Sequence, residues 1–249
     1  MDIKRIPILF FLFAFFISKA QTPYVFSSYP AARVADENYY SSVWWRFENN
    51  GDDERDNLDL TNNGAYYSGT YYVEGSYRGS ANGSNYRFEG ASYEYKGTNN
   101  SFMITGWIRK QTDISGGRSL FSTLWSDDGF QIRLNAYSTP RIDVVTGNGV
   151  STQTAYSNGL TFNTATWYFI AVAFTPSSVT IYFDGTDETS FGMVESGYDT
   201  NNPVYIGCDT DLGEDSYSEF DDWRLYKRIL SSTEITYLKN NPGDQLPEQ

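Results

Sequence analysis

FDDWRLYKRILSSTEI, residues 220–235, is the stretch from which the fold of this chain is most readily inferred. The alternation of side chains along its first half places Asp221, Trp223 and Leu225 on one face of a strand. Trp223 and Leu225 are the expected core residues of that face. The strand is therefore predicted to pack on the protein core and to carry a carboxylate with it.

The second half of the same stretch marks the start of a helix. Ser231 and Glu234 have the spacing of a capping box, in which each side chain bonds the backbone N–H of the other residue. The predicted helix runs to about Leu238, and Pro242 lies just beyond its end. The chain is thus expected to close with one strand followed by one short helix.

The preceding chain consists of about a dozen short apolar or alternating segments that are separated by turn signals. The clearest are residues 43–47, residues 101–109 and the pair 166–174 and 179–183, which a Thr-Pro-Ser-Ser turn joins as a hairpin. This pattern predicts an all-β fold, a two-sheet jelly-roll sandwich with a short C-terminal helix.

The first twenty residues have the features of a secretory signal peptide. Lys4 and Arg5 give a positive start, and an apolar run follows at residues 6–17. This run is too short to span a membrane. Ser18 and Ala20 supply the small-x-small pattern of a cleavage site, so cleavage is expected after Ala20. The mature protein is therefore predicted to be exported and to be secreted or held at the cell surface.

The remaining sequence is expected to form one domain. The predicted division is a signal peptide at residues 1–20, a leader segment at 21–38, the domain at 39–240 and a C-terminal tail at 241–249. No internal repeat, heptad pattern or low-complexity segment divides the sequence further. No stretch after the signal peptide is long and apolar enough to form a membrane span.

The sequence is acidic, with a formal net charge of −13. Cleavage of the signal peptide would remove three cations and one anion, which leaves a mature chain with a charge of −15. A field of this sign disfavours nucleic acid and anionic lipid as partners, and it favours cations and neutral molecules.

Cysteine and histidine are scarce. Cys208 is the single cysteine, which excludes an internal disulfide, and the chain contains no histidine. Cys208 is therefore expected to pack as a small apolar side chain, because no imidazole is available to activate it. The same composition argues against a zinc site and against a serine triad.

Four stretches, taken in order, resemble the laminin-G-like jelly roll, a branch of the concanavalin A-like lectin/glucanase group. The opening loop lacks one glycine of the family pattern, and Tyr168 and Phe169 stand where the family has two histidines, so nothing that depends on those histidines carries over. The four stretches are VWWRF (43–47) with the loop after it, SFMITGWIR (101–109), TWYFIAV (166–172) with VTIYFDG (179–185), and the closing strand.

The resemblance implies a structural calcium ion where the opening loop meets the closing strand. Ca²⁺ takes about 6–8 oxygen ligands, and residues 48–59 are rich in carboxylates. Carried over to this sequence, the ligands are Asp56 and Asn57 of the loop and Asp221 of the closing strand, with backbone carbonyls completing the shell. The alternative is a solvated acidic loop beside an aspartate at the end of a strand.

A glycan-binding surface is the second candidate site. Aromatic residues make up 18% of the chain, which is enough for a core and for some exposed platforms. Sugar rings stack their C–H faces on tyrosine and tryptophan, while a few polar groups fix the orientation. The alternative for any single tyrosine is a half-buried place on a strand. The candidate residues in or near loops are Tyr71, Tyr72, Tyr77, Trp125, Tyr137 and Tyr198.

Glycoside hydrolysis requires two positioned carboxylates. Related glucanases carry them as E-x-D-x-x-E on one strand. Glu219 and Asp221 match the first two acids, but Arg224 occupies the third place. We therefore predict no catalytic residues.

The predicted function is an exported, non-catalytic binding domain for an extracellular glycan or protein, with a structural Ca²⁺. Two alternatives belong to other classes. One is a structural or adhesive surface protein that assembles with other protein subunits. The other is a divergent glycan-cleaving enzyme. The fold alone does not choose among them, because jelly rolls support all three functions.

Overall fold

The computed structural model describes residues 41–112, 116–135, 139–192 and 202–247, all of them within the compact unit Ala35–Gln249. These residues form sixteen strands and one α-helix, α1 (Ser232–Asn240). The first eight strands are β1 (Val43–Trp45), β2 (Leu60–Asn63), β3 (Tyr66–Ser68), β4 (Arg78–Ala81), β5 (Arg87–Ser92), β6 (Phe102–Lys110), β7 (Gly117–Ser122) and β8 (Asp128–Asn135). The other eight are β9 (Arg141–Asn148), β10 (Thr152–Ser157), β11 (Trp167–Phe174), β12 (Val179–Phe183), β13 (Thr186–Asp187), β14 (Thr189–Phe191), β15 (Pro203–Ile206) and β16 (Ser218–Tyr226).

The strands form two antiparallel sheets that pack as a sandwich. Sheet I has the order β13-β12-β11-β6-β16-β4-β3, and β1 pairs with the second half of β16. Sheet II has the order β14-β10-β9-β8-β7-β15-β5-β2. The all-β jelly-roll prediction is confirmed. The polar strand β10 was not assigned from the sequence, because only Ala155 of its residues joins the core.

Aromatic rings fill the space between the sheets. Trp223 stacks on Phe121 with the ring centroids 5.9 Å apart, and Phe102 stacks on Phe174 at 4.4 Å. Truncation of such a buried ring typically costs about 3–5 kcal/mol. Phenylalanine supplies most of these buried rings, whereas most of the tyrosines that the structure describes are half-buried or exposed.

Close packing around Trp223 also explains Gly106 in the middle of β6. A Cβ atom at this position would lie 2.5 Å from the indole ring of Trp223. Only glycine lets the closing strand place its tryptophan against the backbone of β6. Strand β6 has two apolar faces, because Phe102 and Ile104 face the core while Met103 packs on the opposite side.

A β-bulge in β16 corrects one prediction. The register of β16 against β6 shifts just after Asp221, and Asp222 has a φ of +49°. The extra residue leaves Trp223 facing the core, whereas Asp221 lies opposite Trp107 on the outer face of sheet I. Simple alternation predicted that Asp221 shares a face with Trp223 and Leu225. This prediction is wrong, because the bulge places Asp221 on the opposite face.

Helix α1 begins where the sequence predicted. The Ser231 side chain accepts the Glu234 N–H, and the Glu234 carboxylate accepts the Ser231 N–H, which completes the capping box. Arg228 binds the same carboxylate at 2.6 Å. The buried face of the helix packs on the outer face of sheet I and covers part of it. This second apolar cluster contains Met103, Phe169, Ala171, Ala173, Tyr226, Leu230, Ile235, Leu238 and Leu246.

Candidate functional site

Two exposed aromatic side chains lie next to each other in the loop between β3 and β4, while Tyr66, Tyr86 and Trp125 are exposed elsewhere in the described residues. Tyr71 is 70% exposed and Tyr72 is 45% exposed, and Tyr77 is half-buried at the end of the same loop. The structure thus brings three of the predicted ligand residues into one segment, residues 69–77, which we call the platform loop. Two other predicted residues, Tyr137 and Tyr198, lie outside the described residues.

The closing strand holds the platform loop from below. The Asp221 Oδ2 atom accepts the backbone N–H of Val73 at 2.6 Å and that of Glu74 at 3.3 Å. Asp221 has no exposed surface, so these bonds lie in a site without water access. Buried hydrogen bonds to backbone N–H groups are costly to break, because each group would be left without a partner. The loop is therefore fixed to sheet I at its centre.

The segment after β1 holds the other half of the loop. Arg46 donates two hydrogen bonds to the Glu74 carboxylate, at 2.7 and 2.6 Å, and this pairing raises the pKa of Arg46 above its usual value. The Glu48 carboxylate accepts the N–H of Ser76 at 2.9 Å. Gly75 has a φ of +64°, and a Cβ there would lie 1.9 Å from Glu48 Oε1. The positive φ favours glycine, and any larger residue would displace the Glu48 carboxylate from the loop.

Side chains of sheet I contact both the backbone and the ring of Tyr71. The Trp167 indole N–H donates to the Tyr71 backbone carbonyl at 2.5 Å, and the Arg109 guanidinium lies 4.8 Å from the centre of the Tyr71 ring. Tyr71 has a φ of +59°, a conformation that costs free energy in a residue other than glycine and that its surroundings maintain. The ring is therefore presented to solvent in a fixed position.

A buried ionic network lies under Tyr71. Glu219 is 2% exposed, and its carboxylate accepts hydrogen bonds from Arg78, Arg109 and the Gln111 amide. The two guanidinium groups and one carboxylate leave a local charge of about +1, which the acidic surface elsewhere does not share. The network fixes the orientation of Arg109 and, through it, of the Tyr71 ring.

Burial dominates the electrostatics of Asp221. Loss of hydration raises the pKa of this carboxyl to about 8, although its hydrogen bonds to Val73 and Glu74 act in the opposite direction. The charges of Glu74 and Asp222 add to the rise. The Oδ1 atom of Asp221 is buried and has no hydrogen-bond partner. Asp221 is therefore expected to hold a proton at neutral pH.

The near match to a glucanase motif does not form an accessible acid pair. Glu219 and Asp221 lie on the outer face of β16, but they are 2% and 0% exposed under the platform loop. Glu219 is engaged by two arginines, and Asp221 is bound to the loop backbone. Hydrolysis needs both carboxyl groups to reach the substrate or water. The arrangement in this structure therefore suits a structural role for both acids.

The three predicted calcium ligands have separate surroundings. Asp56 and Asn57 are exposed, and the Asn57 amide donates to the Ser42 carbonyl at 2.7 Å. Asp221 is buried and bonded to the platform loop. Within the described ranges, no three or more Asp, Glu or Cys side chains form a group arranged to hold a metal. Calcium binding by Asp56, Asn57 and Asp221 stays a prediction.

Two acids that the sequence interpretation did not single out connect the opening loop to the closing strand. Asp53 is 2% exposed and accepts the N–H of Trp44 at 2.6 Å and that of Leu58 at 3.1 Å. Asp222, also 2% exposed, accepts the Trp44 indole N–H at 2.7 Å and pairs with Arg224 at 2.7 Å. The Arg224 guanidinium lies 4.3 Å from the Trp44 ring centre. N–H donors and a guanidinium therefore hold this junction.

Trp125, the remaining predicted ligand residue, lies apart from the platform loop. It occupies the β7–β8 hairpin of sheet II and is 50% exposed. The neighbouring β9–β10 turn exposes Val150 to 85%, and the Gly149 N–H donates to the Asp127 carbonyl, which joins the two turns. Each of these adjacent tips therefore exposes one large apolar side chain among polar residues.

Comparison with protein families and curated sequences gives one clear match. The family model described as the concanavalin A-like lectin/glucanases superfamily matches residues 91–236, which is more than half of the chain. A comparison with curated proteins gives no significant match. Among the residues that the structure describes, no helix is both long and apolar enough to cross a membrane.

Solved structures share the fold at low sequence identity. Domain 4 of AbnA, an extracellular arabinanase from Geobacillus stearothermophilus solved with arabinotriose, matches with a TM-score of 0.62 and 13% identity over 80% of this chain and 98% of that chain. The binding domain of Paraclostridial Mosquitocidal Protein 1 matches with a TM-score of 0.63 and 16% identity, over 81% of this chain and 52% of its own.

A structure of botulinum neurotoxin type C, whose cell entry is described as dependent on two ganglioside molecules, matches with a TM-score of 0.59 and 15% identity, over 84% of this chain and 52% of its own. The chain thus corresponds to about half the length of both toxin structures. These likenesses show the fold alone. The family match shows that the chain belongs to the laminin-G-like branch of the concanavalin A-like lectin/glucanase superfamily.

Proposed function

We propose that this protein is an exported, non-catalytic domain that binds an extracellular glycan through the platform loop. The observation that carries the proposal is the pair of adjacent exposed rings, Tyr71 and Tyr72, on a loop that buried hydrogen bonds hold in place. Rigid aromatic rings lose little entropy when they stack on a sugar. A pre-formed platform therefore favours binding without prior ordering of the loop.

The charge of the protein favours a neutral glycan. The net charge of −13 repels polyanionic chains at long range, whereas stacking on tyrosine requires no ligand charge. The structural likeness to an arabinanase domain solved with arabinotriose supports neutral sugars as the first ligands to test. Export is supported by the signal-peptide pattern at residues 1–20 and by the likeness to extracellular domains.

The test is calorimetric titration of the mature protein with soluble neutral polysaccharides, arabinan among them. Replacement of Tyr71 and Tyr72 by alanine should weaken binding at least about ten-fold, since each ring contact contributes about 1 kcal/mol or more. The Trp125→Ala variant is the comparison, because it removes a predicted ligand ring that is exposed on the other sheet, and a loss of affinity in this variant alone would place the glycan there instead. Unchanged affinity in the double tyrosine variant would contradict the proposed site.

A protein-binding role is the second candidate function. The exposed side chains of Trp125 and Val150 on adjacent turns are the observation that favours it, since exposed aromatic and apolar residues suit the centre of a protein interface. If Trp125→Ala abolished attachment to the producing cell's surface proteins while the tyrosine variant did not, the adhesive alternative would replace the glycan proposal.

A structural calcium ion at Asp56, Asn57 and Asp221 is a separate proposal. The number of oxygen donors in the opening loop supports it, and the different surroundings of the three side chains argue against it. Thermal unfolding with EDTA and with added Ca²⁺ tests it. A calcium-dependent rise of the melting temperature that Asp221→Ala removes would support the ion, and no rise would exclude it.

A further inference from the structure

A second surface, on the other sheet from the platform loop, has the form of a small-ligand groove. It lies at the β2 edge of sheet II, on the outer face of the sheet. The side chains that line it belong to β2, β5 and β15 and point away from the core. Its volume is about 350 Å³, near the lower end of the range for small-molecule sites. The groove is lined by Thr61, Asn63, Glu89, Gly90, Ala91 and Pro203.

Hydrogen bonds arrange the polar floor of this groove. The Glu89 Oε2 atom accepts the Asn63 amide N–H at 2.9 Å and two N–H groups of Arg87, at 3.1 and 2.9 Å. Arg87 itself lies over the Tyr205 ring, 5.4 Å from its centre. Because all these residues stand on paired strands, their positions are more precise than those of loop residues.

The charge of the groove is balanced. Glu89 is the single acid among the lining residues, and its ion pair with Arg87 at 2.9 Å neutralises it. The charge of an anionic or a cationic ligand would therefore add little binding energy at this site. The Thr61 hydroxyl, the Asn63 amide and the Glu89 carboxylate provide both donors and acceptors, while Ala91 and Pro203 provide an apolar side.

We propose that this groove binds a neutral, hydroxyl-rich ligand, namely a terminal sugar or short neutral oligosaccharide. Sugar hydroxyl groups would bond to Asn63 and Glu89, and the C–H face of the ring would lie against Ala91 and Pro203. This site goes beyond the platform loop and does not depend on it. With both sites occupied, one molecule would hold two glycan segments and would gain affinity for a polymer by avidity.

The proposal is tested by NMR titration of the ¹⁵N-labelled mature protein. Neutral probes are glucose, galactose, arabinose and arabinotriose, and charged probes are glucuronic acid and glucosamine. At least one neutral probe should shift the amide signals of Thr61, Asn63 and Ala91. Asn63→Ala should weaken this binding about ten-fold, since it removes a ligand contact and one support of Glu89. Ala91→Trp should abolish it by filling the groove, and Ala91 is exposed, so the fold tolerates the larger side chain.

Asn62→Ala is the matched control, because neighbouring residues of a strand point to opposite sides. It should leave the binding unchanged, and so should the double alanine variant of Tyr71 and Tyr72. Shifts confined to the platform loop would overturn this inference and leave the proposed function intact. Stronger binding of glucuronic acid or glucosamine than of the neutral probes would overturn the assignment of ligand class.

Discussion

Replacement of Asp221 by asparagine should stabilise this protein at neutral pH, although the residue is fully buried and makes two hydrogen bonds. The pKa of Asp221 is about 8 in the folded state, against 3.8 for an ordinary aspartate. The folded protein therefore binds a proton that the unfolded chain releases. The stability that this proton contributes is fully present below about pH 4 and is lost as the pH rises towards 8.

The magnitude follows from the width of that window. The free energy of unfolding falls by at most 1.36 kcal/mol for each pH unit between pH 3.8 and pH 7. Over these roughly three units the upper limit of the loss is about 4 kcal/mol. Asparagine has no charge to lose, and it keeps a carbonyl oxygen for the N–H groups of Val73 and Glu74. Its amide nitrogen takes the place of Oδ1, the oxygen that has no partner.

The assay is urea unfolding of the wild type and the Asp221→Asn variant at several values between about pH 4 and pH 8. The variant should exceed the wild type in stability by a margin that grows with pH, and its own stability should vary less across this range. Glu74 and Asp222 face Asp221, and each forms an ion pair with an arginine, Arg46 and Arg224 respectively.

Asp222→Asn is the control, since it leaves the buried Arg224 without its ion-pair partner. We expect this variant to lose about 3–5 kcal/mol, the usual effect of breaking a buried pair. An Asp221→Asn variant that is less stable than the wild type near pH 8 would refute the reasoning. If that loss occurred only in the presence of Ca²⁺, Asp221 would instead be identified as a calcium ligand.

Three further predictions concern the stability of the fold and the burial of its cysteine. Gly106→Ala should destabilise the fold by about 1–3 kcal/mol in urea unfolding, because its Cβ would press on the Trp223 ring, and an unchanged midpoint would contradict the packing described for β6. Ser231→Ala should cost about 1 kcal/mol by the same measurement, since the Glu234 N–H loses its acceptor, whereas Ser231→Asp should restore most of the loss. Cys208 should resist a thiol reagent until the protein unfolds, because burial raises its pKa to about 12, and rapid labelling of the native protein would disprove this.

Regular strands and the helix were the most predictable features. Strand β12 has the predicted limits, and α1 begins at the predicted cap. Both rest on local chemistry, namely the alternation of apolar residues and the spacing of Ser231 and Glu234. The bulge at Asp222 has no such signal, because it depends on how β16 pairs with β6. A one-residue insertion in the register reversed the predicted face of Asp221.

The candidate site was predictable only in part. Tyr71 and Tyr72 were expected to lie in or near a loop, and both rings are exposed. The Gly- and Tyr-rich segment that contains them has few of the aliphatic residues that a core strand or helix would bury. The importance of Asp53 and Asp222 was not visible, although each stands beside another aspartate in the sequence. Which member of such a pair is buried depends on the N–H donors that the fold brings to it.

The sequence by itself determined the fold class, the closing strand and helix, the aromatic core and the acidic surface, because these depend on composition and on the order of residues along the chain. Only the tertiary structure decided which acids are buried, which tyrosines remain exposed and how the platform loop is held. Asp221 and Val73 are 148 positions apart in the chain, and their hydrogen bond exists because sheet I brings β16 beneath the loop. Desolvation then gives that one carboxyl a pKa that no local sequence pattern specifies.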